Sequence, residues 1–172
     1  MKHTADQILE KLKTKFPQTA FTWQTPENGD ASLIVPADHL VPVVQFLKDS
    51  SELAFDFLMS VSAFDGLKWL EGDAAQMIEV TYHLHSYQHR HTFIVKVRAP
   101  RQNGQIPTLT GLYGCADFQE REVFDHFGVA FIGHPNLKRI LLPDDWVGHP
   151  LLKDYEEQAE YNGMGTTRPS ML

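Results

Sequence analysis

Residues able to do chemistry concentrate between Asp117 and Tyr155. Glu120, Arg121, Glu122, Asp125 and His126 crowd one short stretch, with Arg121/Asp125 and Glu122/His126 each four apart. On a helix such pairs share a face, and ion pairs worth a few tenths of a kcal/mol are their plainest use. Paired carboxylates can also serve acid–base catalysis, but no nucleophile signature accompanies them. A third use is structural. Glu-Arg-Glu-X-X-Asp would then pack beneath a loop, its charges holding loop backbone and Arg139, with a buried Arg121 pairing with Asp125.

Gly-His-Pro occurs twice, at Gly133-His134-Pro135 and Gly148-His149-Pro150, fifteen positions apart. Each proline drives its histidine toward extended backbone, and each glycine permits a bend that a Cβ would oppose. His126, His134 and His149 reach the usual ligand count of catalytic zinc. Their spacings of 8 and 15 match no compact ligand motif, and nine histidines make chance triples easy. Hydrogen bonding to loop backbone is their plainer use, and no metal is assigned. His83, His85, His89 and His91 flank a hairpin tip, where solvent exposure is expected.

Composition narrows the chemistry further. A formal net charge of −7 argues against a nucleic-acid or anionic-lipid binder, which needs clustered Lys and Arg. Cys115 is the only cysteine, which excludes an internal disulfide and is too few for an iron–sulfur cluster. No Gly-X-Gly-X-X-Gly fingerprint is present, so a colourless protein without flavin or iron is expected. No apolar run approaches the roughly 20 residues that cross a bilayer. Met1-Lys2-His3-Thr4 leads into a charged segment without a secretory apolar region, which predicts cytoplasmic placement.

The elements that must position these residues follow from periodicity. Thr4 and Gln7 form a capping box for a helix to Phe16, with Ala5, Ile8, Leu9, Leu12 and Phe16 on one stripe. Phe21 to Gln24 and Ser32 to Val35 read as short strands, and Asp38 to Lys48 as a second helix burying Leu40, Val43, Val44 and Leu47. Leu53 to Val61 is a further strand. Met77 to His85 and His91 to Arg98 alternate as an antiparallel hairpin with one wet face. Asp117 with Glu120 signals the start of a third helix, and Gly128 ends it. The expectation is an α+β fold, with helices packed on one side of a mainly antiparallel sheet, followed by an extended C-terminal segment. Residues 1–150 form one domain in this scheme. Residues 151–172 form a docking tail, broken by Gly163, Gly165 and Pro169.

The spacing Glu120-Arg121-Glu122-X-X-Asp125-X-X-Gly128-Val129-X-Phe131-X-Gly133-His134-Pro135-X-Leu137-X-Arg139 resembles the signature of the complex I 30-kDa subunit family. Pro143-Asp144-Asp145-Trp146-X-Gly148-His149-Pro150-Leu151-X-Lys153-Asp154-Tyr155 looks like that family's continuation. Phe118, Leu152 and Glu156 depart from it, standing where Trp, Arg and Pro are common. The resemblance implies a cofactor-free structural and assembly subunit in the peripheral arm of a proton-translocating NADH:quinone oxidoreductase. It would brace the quinone-reducing module beside the 49-kDa-type subunit and the subunit with the terminal cluster. NADH, FMN, iron–sulfur clusters and quinone would bind partner chains, and this chain would have no active site of its own. It would sit peripherally on the cytoplasmic face of the membrane, touching it only through the complex. Leu151, Lys153, Asp154, Tyr155, Tyr161 and Met164 would dock to partners. Three alternatives stand beside this: a component of a related membrane-bound hydrogenase, a free-standing metallohydrolase using His134 and His149, and a soluble interaction module unrelated to respiration.

Overall fold

A computed structural model of the chain describes residues 2–166. Helix α1 (Ala5–Lys15) begins with the expected reciprocal cap: Gln7 N–H donates to Thr4 Oγ1 at 3.3 Å and Thr4 N–H to Gln7 Oε1 at 2.9 Å. Strands β1 (Thr22–Gln24) and β2 (Ser32–Ile34) follow, then a 3-10 turn at Ala37–His39 and helix α2 (Leu40–Asp49). Strand β3 spans Phe57–Asp65, β4 Met77–Ser86 and β5 His91–Pro100. These five strands form one sheet in the order β1-β2-β5-β4-β3. Every pairing in it is antiparallel except β2 with β5.

Alternation decides the faces. Ile78, Val80, Tyr82 and Leu84 of β4 and Phe93, Val95 and Val97 of β5 turn inward and are buried. Ile8, Leu9 and Leu12 of α1 and the four apolar residues predicted for α2 join them in one core. Beyond β5 come β6 (Gln105–Pro107), helix α3 (Ala116–Phe127) and β7 (Ala130–Ile132), with β6 and β7 paired parallel. The chain is an α+β fold with a mainly antiparallel sheet, as its patterning predicts.

Four local expectations need correction. The strand expected at Leu53 begins four residues later, because Leu53 and Ala54 fold back through N–H bonds to Ser50 O and Ala54 takes φ +45°. Their apolar character serves a buried turn instead. Helix α3 begins at Ala116 with no side-chain cap, and Glu120 is fully buried and bonded elsewhere. Glu79, on the wet face of β4, is 7% exposed because Lys96 Nζ at 2.8 Å and Arg98 Nε at 2.9 Å lie over it. His91 is buried as well, since Phe55 stacks on it at 4.7 Å and it bonds to Leu53 O. His83, His85 and His89 are half-buried.

No helix among the described residues is long and apolar enough to cross a membrane. The C-terminal stretch runs through turns to a short hairpin, β8 (Glu160–Tyr161) and β9 (Met164–Gly165). The end of the expected tail, residues 167–172 with Pro169, lies outside the described residues.

Candidate functional site

Helix α3 lies along the outer edge of the sheet, where Gln119 Oε1 accepts the N–H of Val61 on edge strand β3. Gly128 ends the helix in the left-handed region at φ +77°, and β7 then leads into a strap from about Gly133 to Tyr155. Three charged residues of α3 face away from solvent: the strap satisfies Asp125 and Arg121, and the segment after β6 satisfies Glu120.

Asp125 is fully buried. Its Oδ2 accepts N–H bonds from Ile140 at 3.1 Å, Leu141 at 2.8 Å and Leu142 at 2.9 Å, while Oδ1 takes Arg139 Nη1 at 2.7 Å. Burial alone would raise its pKa. The Leu142 and Leu141 N–H groups and the Arg139 guanidinium outweigh that and hold it at about 2. Arg139 then crosses the strap, donating from Nη2 to Trp146 O at 3.1 Å and Gly148 O at 2.9 Å.

Arg121 is 8% exposed, as expected, but its pairing differs from the expectation. It donates to Lys138 O and Arg139 O, both at 3.1 Å, and its guanidinium lies over the Phe118 ring. Asp125 is already taken by a better-placed cation and three amides. Glu120 holds the other side of the helix: Oε1 accepts Leu109 N–H at 2.7 Å and Oε2 accepts the Thr108 hydroxyl. Burial pushes its pKa up, partly opposed by those two donors. Glu122 alone of the four is exposed, with no partner among the described residues.

The two Gly-His-Pro turns act as pins. Gly133 and Gly148 both have left-handed φ, +84° and +81°. The His134 side chain is buried, donates from Nε2 to Asp117 O at 3.1 Å and accepts Asn136 N–H on Nδ1 at 3.1 Å. His149 Nδ1 donates to Asp125 O at 2.8 Å, with its ring packed on Gly128 and edge-on to Phe124. Among the described residues, no group of three His, Cys, Asp or Glu could hold a metal ion.

The remaining predicted residues divide between pins and exposed points. Pro135 and Pro143 are exposed; Pro143 O accepts Trp146 N–H in a turn, and Pro150 is half-buried. Tyr161 packs on Trp146 at 5.2 Å and donates to Asp145 at 2.8 Å. Tyr155 lies against Gly148, where a Cβ would come within 2.9 Å of its ring. Leu151 and Met164 are exposed, as are Leu141 and Val147.

Sequence reasoning missed a second clamp. Asp65, 1% exposed at the end of β3, receives Arg101 Nε at 2.8 Å and Nη2 at 3.0 Å, and also Lys153 N–H at 2.8 Å. Burial raises its pKa, but the Arg101 bonds and the Lys153 and Leu67 amides bring it below the ordinary range. Arg101 also pairs with Asp154. Lys153 and Asp154 thus bind their own domain. No spacing rule links positions 65, 101 and 154; a charged residue at or just beyond each of two strand ends was the only signal.

Among the described residues, nothing in this arrangement couples a nucleophile to a base. It directs charged side chains at backbone and so fixes the shape of a loop.

Residues 33–161 match the family described as "Respiratory-chain NADH dehydrogenase, 30 Kd subunit". The NADH-quinone oxidoreductase C polypeptide of Roseiflexus sp. (strain RS-1) is 41% identical over 153 residues, covering 89% of this chain and 84% of that one. The NADH-quinone oxidoreductase C/D polypeptide of Proteus mirabilis is 36% identical over 159 residues, covering 91% of this chain but 26% of that one. Among solved structures, a trypsin-resistant fragment of Nqo5 aligns with a TM-score of 0.65 at 28% identity, covering 77% of this chain and 98% of the fragment. A chain of the membrane-bound sulfane sulfur reductase, an archaeal respiratory membrane complex, aligns with a TM-score of 0.63 at 25% identity, covering 81% and 77%.

Proposed function

This chain belongs to the respiratory-chain NADH dehydrogenase 30-kDa subunit family, and from that premise we propose that it is a cofactor-free assembly subunit of an NADH:quinone oxidoreductase. It sits in the peripheral arm on the cytoplasmic face and braces the quinone-reducing module beside the 49-kDa-type subunit and the subunit with the terminal cluster. Redox chemistry stays on those partners. The observation that carries this reading is the use made of the signature residues. Glu120, Arg121, Asp125, Arg139 and the two Gly-His-Pro histidines turn their polar atoms on backbone, on one another or, for one Glu120 oxygen, on the Thr108 hydroxyl. That chemistry shapes a strap and leaves Leu141, Val147 and Leu151 outside it, as a docking surface needs. In the Proteus mirabilis relative this region is about a quarter of one long polypeptide, which supports a lasting contact with a larger partner.

The test is to tag the chain in its own organism and to delete its gene. The expected result is co-purification of cluster-bearing subunits without iron or flavin in the separated chain, and loss of NADH-dependent quinone reduction on deletion. A chain that purifies alone, with quinone reduction unchanged in the deletion, overturns the reading. The likeness to the sulfane sulfur reductase chain favours a second reading, a component of a related membrane-bound respiratory complex. Under it, deletion spares NADH oxidation and removes a different membrane-bound reductase activity.

A further inference from the structure

A groove of about 190 Å³ opens where α3, β3 and the strap meet. The N–H of Leu151 donates to His126 O at 3.2 Å, which ties the strap to the last turn of the helix and closes one wall. Val61, Ala63, Val123, Phe127 and Leu151 provide apolar lining. Three polar residues interrupt it: Ser62 of β3, and Glu122 and His126 of α3, one helical turn apart. Among the described residues, Glu122 is the only carboxylate of the Glu-Arg-Glu-X-X-Asp stretch not committed within the chain. His126 Nδ1 is buried without a hydrogen-bond partner there, a state that costs free energy until a partner is found. Leu151, a large apolar side chain at the mouth, is 48% exposed.

We propose that this groove is a socket for one lysine or arginine side chain of a neighbouring subunit. Such a side chain has an apolar stem and a cationic head. The stem matches the aliphatic and aromatic walls, and the head matches the exposed Glu122 carboxylate. A carboxylic or phosphate group would meet Glu122 as a like charge. A purely apolar side chain would leave the Glu122 carboxylate desolvated and unpaired. The groove has room for one long side chain. Covering it would desolvate the ion pair, so the contact contributes specificity as well as affinity. This rests on the assembly role proposed above and names the chemistry of one of its contacts.

The test uses the tagged full-length chain in its own organism, comparing wild type with Glu122→Gln and Glu122→Lys. Because Glu122 has no partner among the described residues, both variants should melt within about two degrees of wild type as isolated proteins. Recovery of the other subunits should fall at least tenfold for Glu122→Lys and about threefold for Glu122→Gln. An acidic residue replacing one Lys or Arg of a partner subunit should restore the Glu122→Lys complex. Recovery with Glu122→Lys within twofold of wild type overturns the socket while leaving the assembly role standing, since wild type still brings its partners. Loss that Glu122→Lys shows and no acidic replacement restores, or that depends on a second copy of this chain, also overturns it. If wild type itself recovers no other subunit, the assembly role falls and the socket with it.

Discussion

Asp125 of α3 and Arg139 of the strap meet at 2.7 Å, yet Arg139 is one of four donors converging on a carboxylate with no exposed surface. Helix and strap are joined there more by backbone amides than by the ion pair. Replacing Asp125 with Ala leaves a guanidinium and three N–H groups unmatched, a cost of about 3–5 kcal/mol. The melting temperature should fall by roughly 6–20 °C, read by calorimetry. The same residue sets an acid limit. Its pKa of about 2 lies below the ordinary 3.8, so its contribution is present above pH 3.8 and is lost as pH falls toward 2. A shift under two degrees on substitution would mean that the strap is held elsewhere.

Arg121→Ala removes two bonds to strap carbonyls and a cation stacked on Phe118. The expected loss is about 2–4 kcal/mol by urea denaturation. Arg121→Lys should recover little of it, because a point charge cannot span two adjacent carbonyls as a planar fork does. Full recovery by lysine would show that charge alone matters.

At Gly128 a Cβ would stand 2.7 Å from Cδ2 and 2.8 Å from Nε2 of His149, on backbone at φ +77°. Gly128→Ala should therefore cost more than the roughly 1–2 kcal/mol of a left-handed alanine alone. Part of the excess should vanish in a His149→Ala background, a coupling that a double-mutant cycle measures. Strict additivity would place the strain entirely in the helix cap.

His91 gives a second pH dependence, with the same sign as Asp125 but near neutrality. Burial lowers its pKa below 6.5; the bond to Leu53 O opposes this, and His89, His3 and His85 add to it. The unfolded chain then takes up a proton that the folded chain refuses, so stability is fully present above pH 6.5 and declines below it. Protonation would also displace the N–H of His3 from Nδ1 and loosen the start of α1. His91→Gln should flatten the melting profile between about pH 7.5 and 5. An unchanged slope would assign the loss to other groups.

Truncation after Tyr155 keeps the Lys153 and Asp154 bonds to Asp65 and Arg101 and removes the Tyr161 bond to Asp145 and its ring contact with Trp146. Exposed contacts of that kind together contribute at most about 2 kcal/mol, or roughly 4–8 °C. Co-purification of partner subunits should nevertheless drop. Equal recovery of truncated and complete chains would remove docking from residues beyond Tyr155.

Caps and periods were legible because they act within a few residues. The Thr4/Gln7 box, the inward stripe Ile78-Val80-Tyr82-Leu84 and the stop at Gly128 all stand where local rules put them. That the charges of Glu-Arg-Glu-X-X-Asp would hold loop backbone and Arg139 was legible too, since a run of fixed turns follows the helix. What only the tertiary structure decided is who pairs with whom. Helical spacing put Arg121 beside Asp125, but a buried carboxylate is best served by several donors at once, and residues 139–142 supply them. The parallel pairing of β2 with β5, and the meeting of Arg101 with Asp65 and Asp154, join segments tens of residues apart. Leu53 and Ala54 were apolar enough for a strand, yet a turn closed on Ser50 O claimed them. Sequence periodicity records which side of an element is apolar; it carries no record of the partner that a closed chain brings to the polar side.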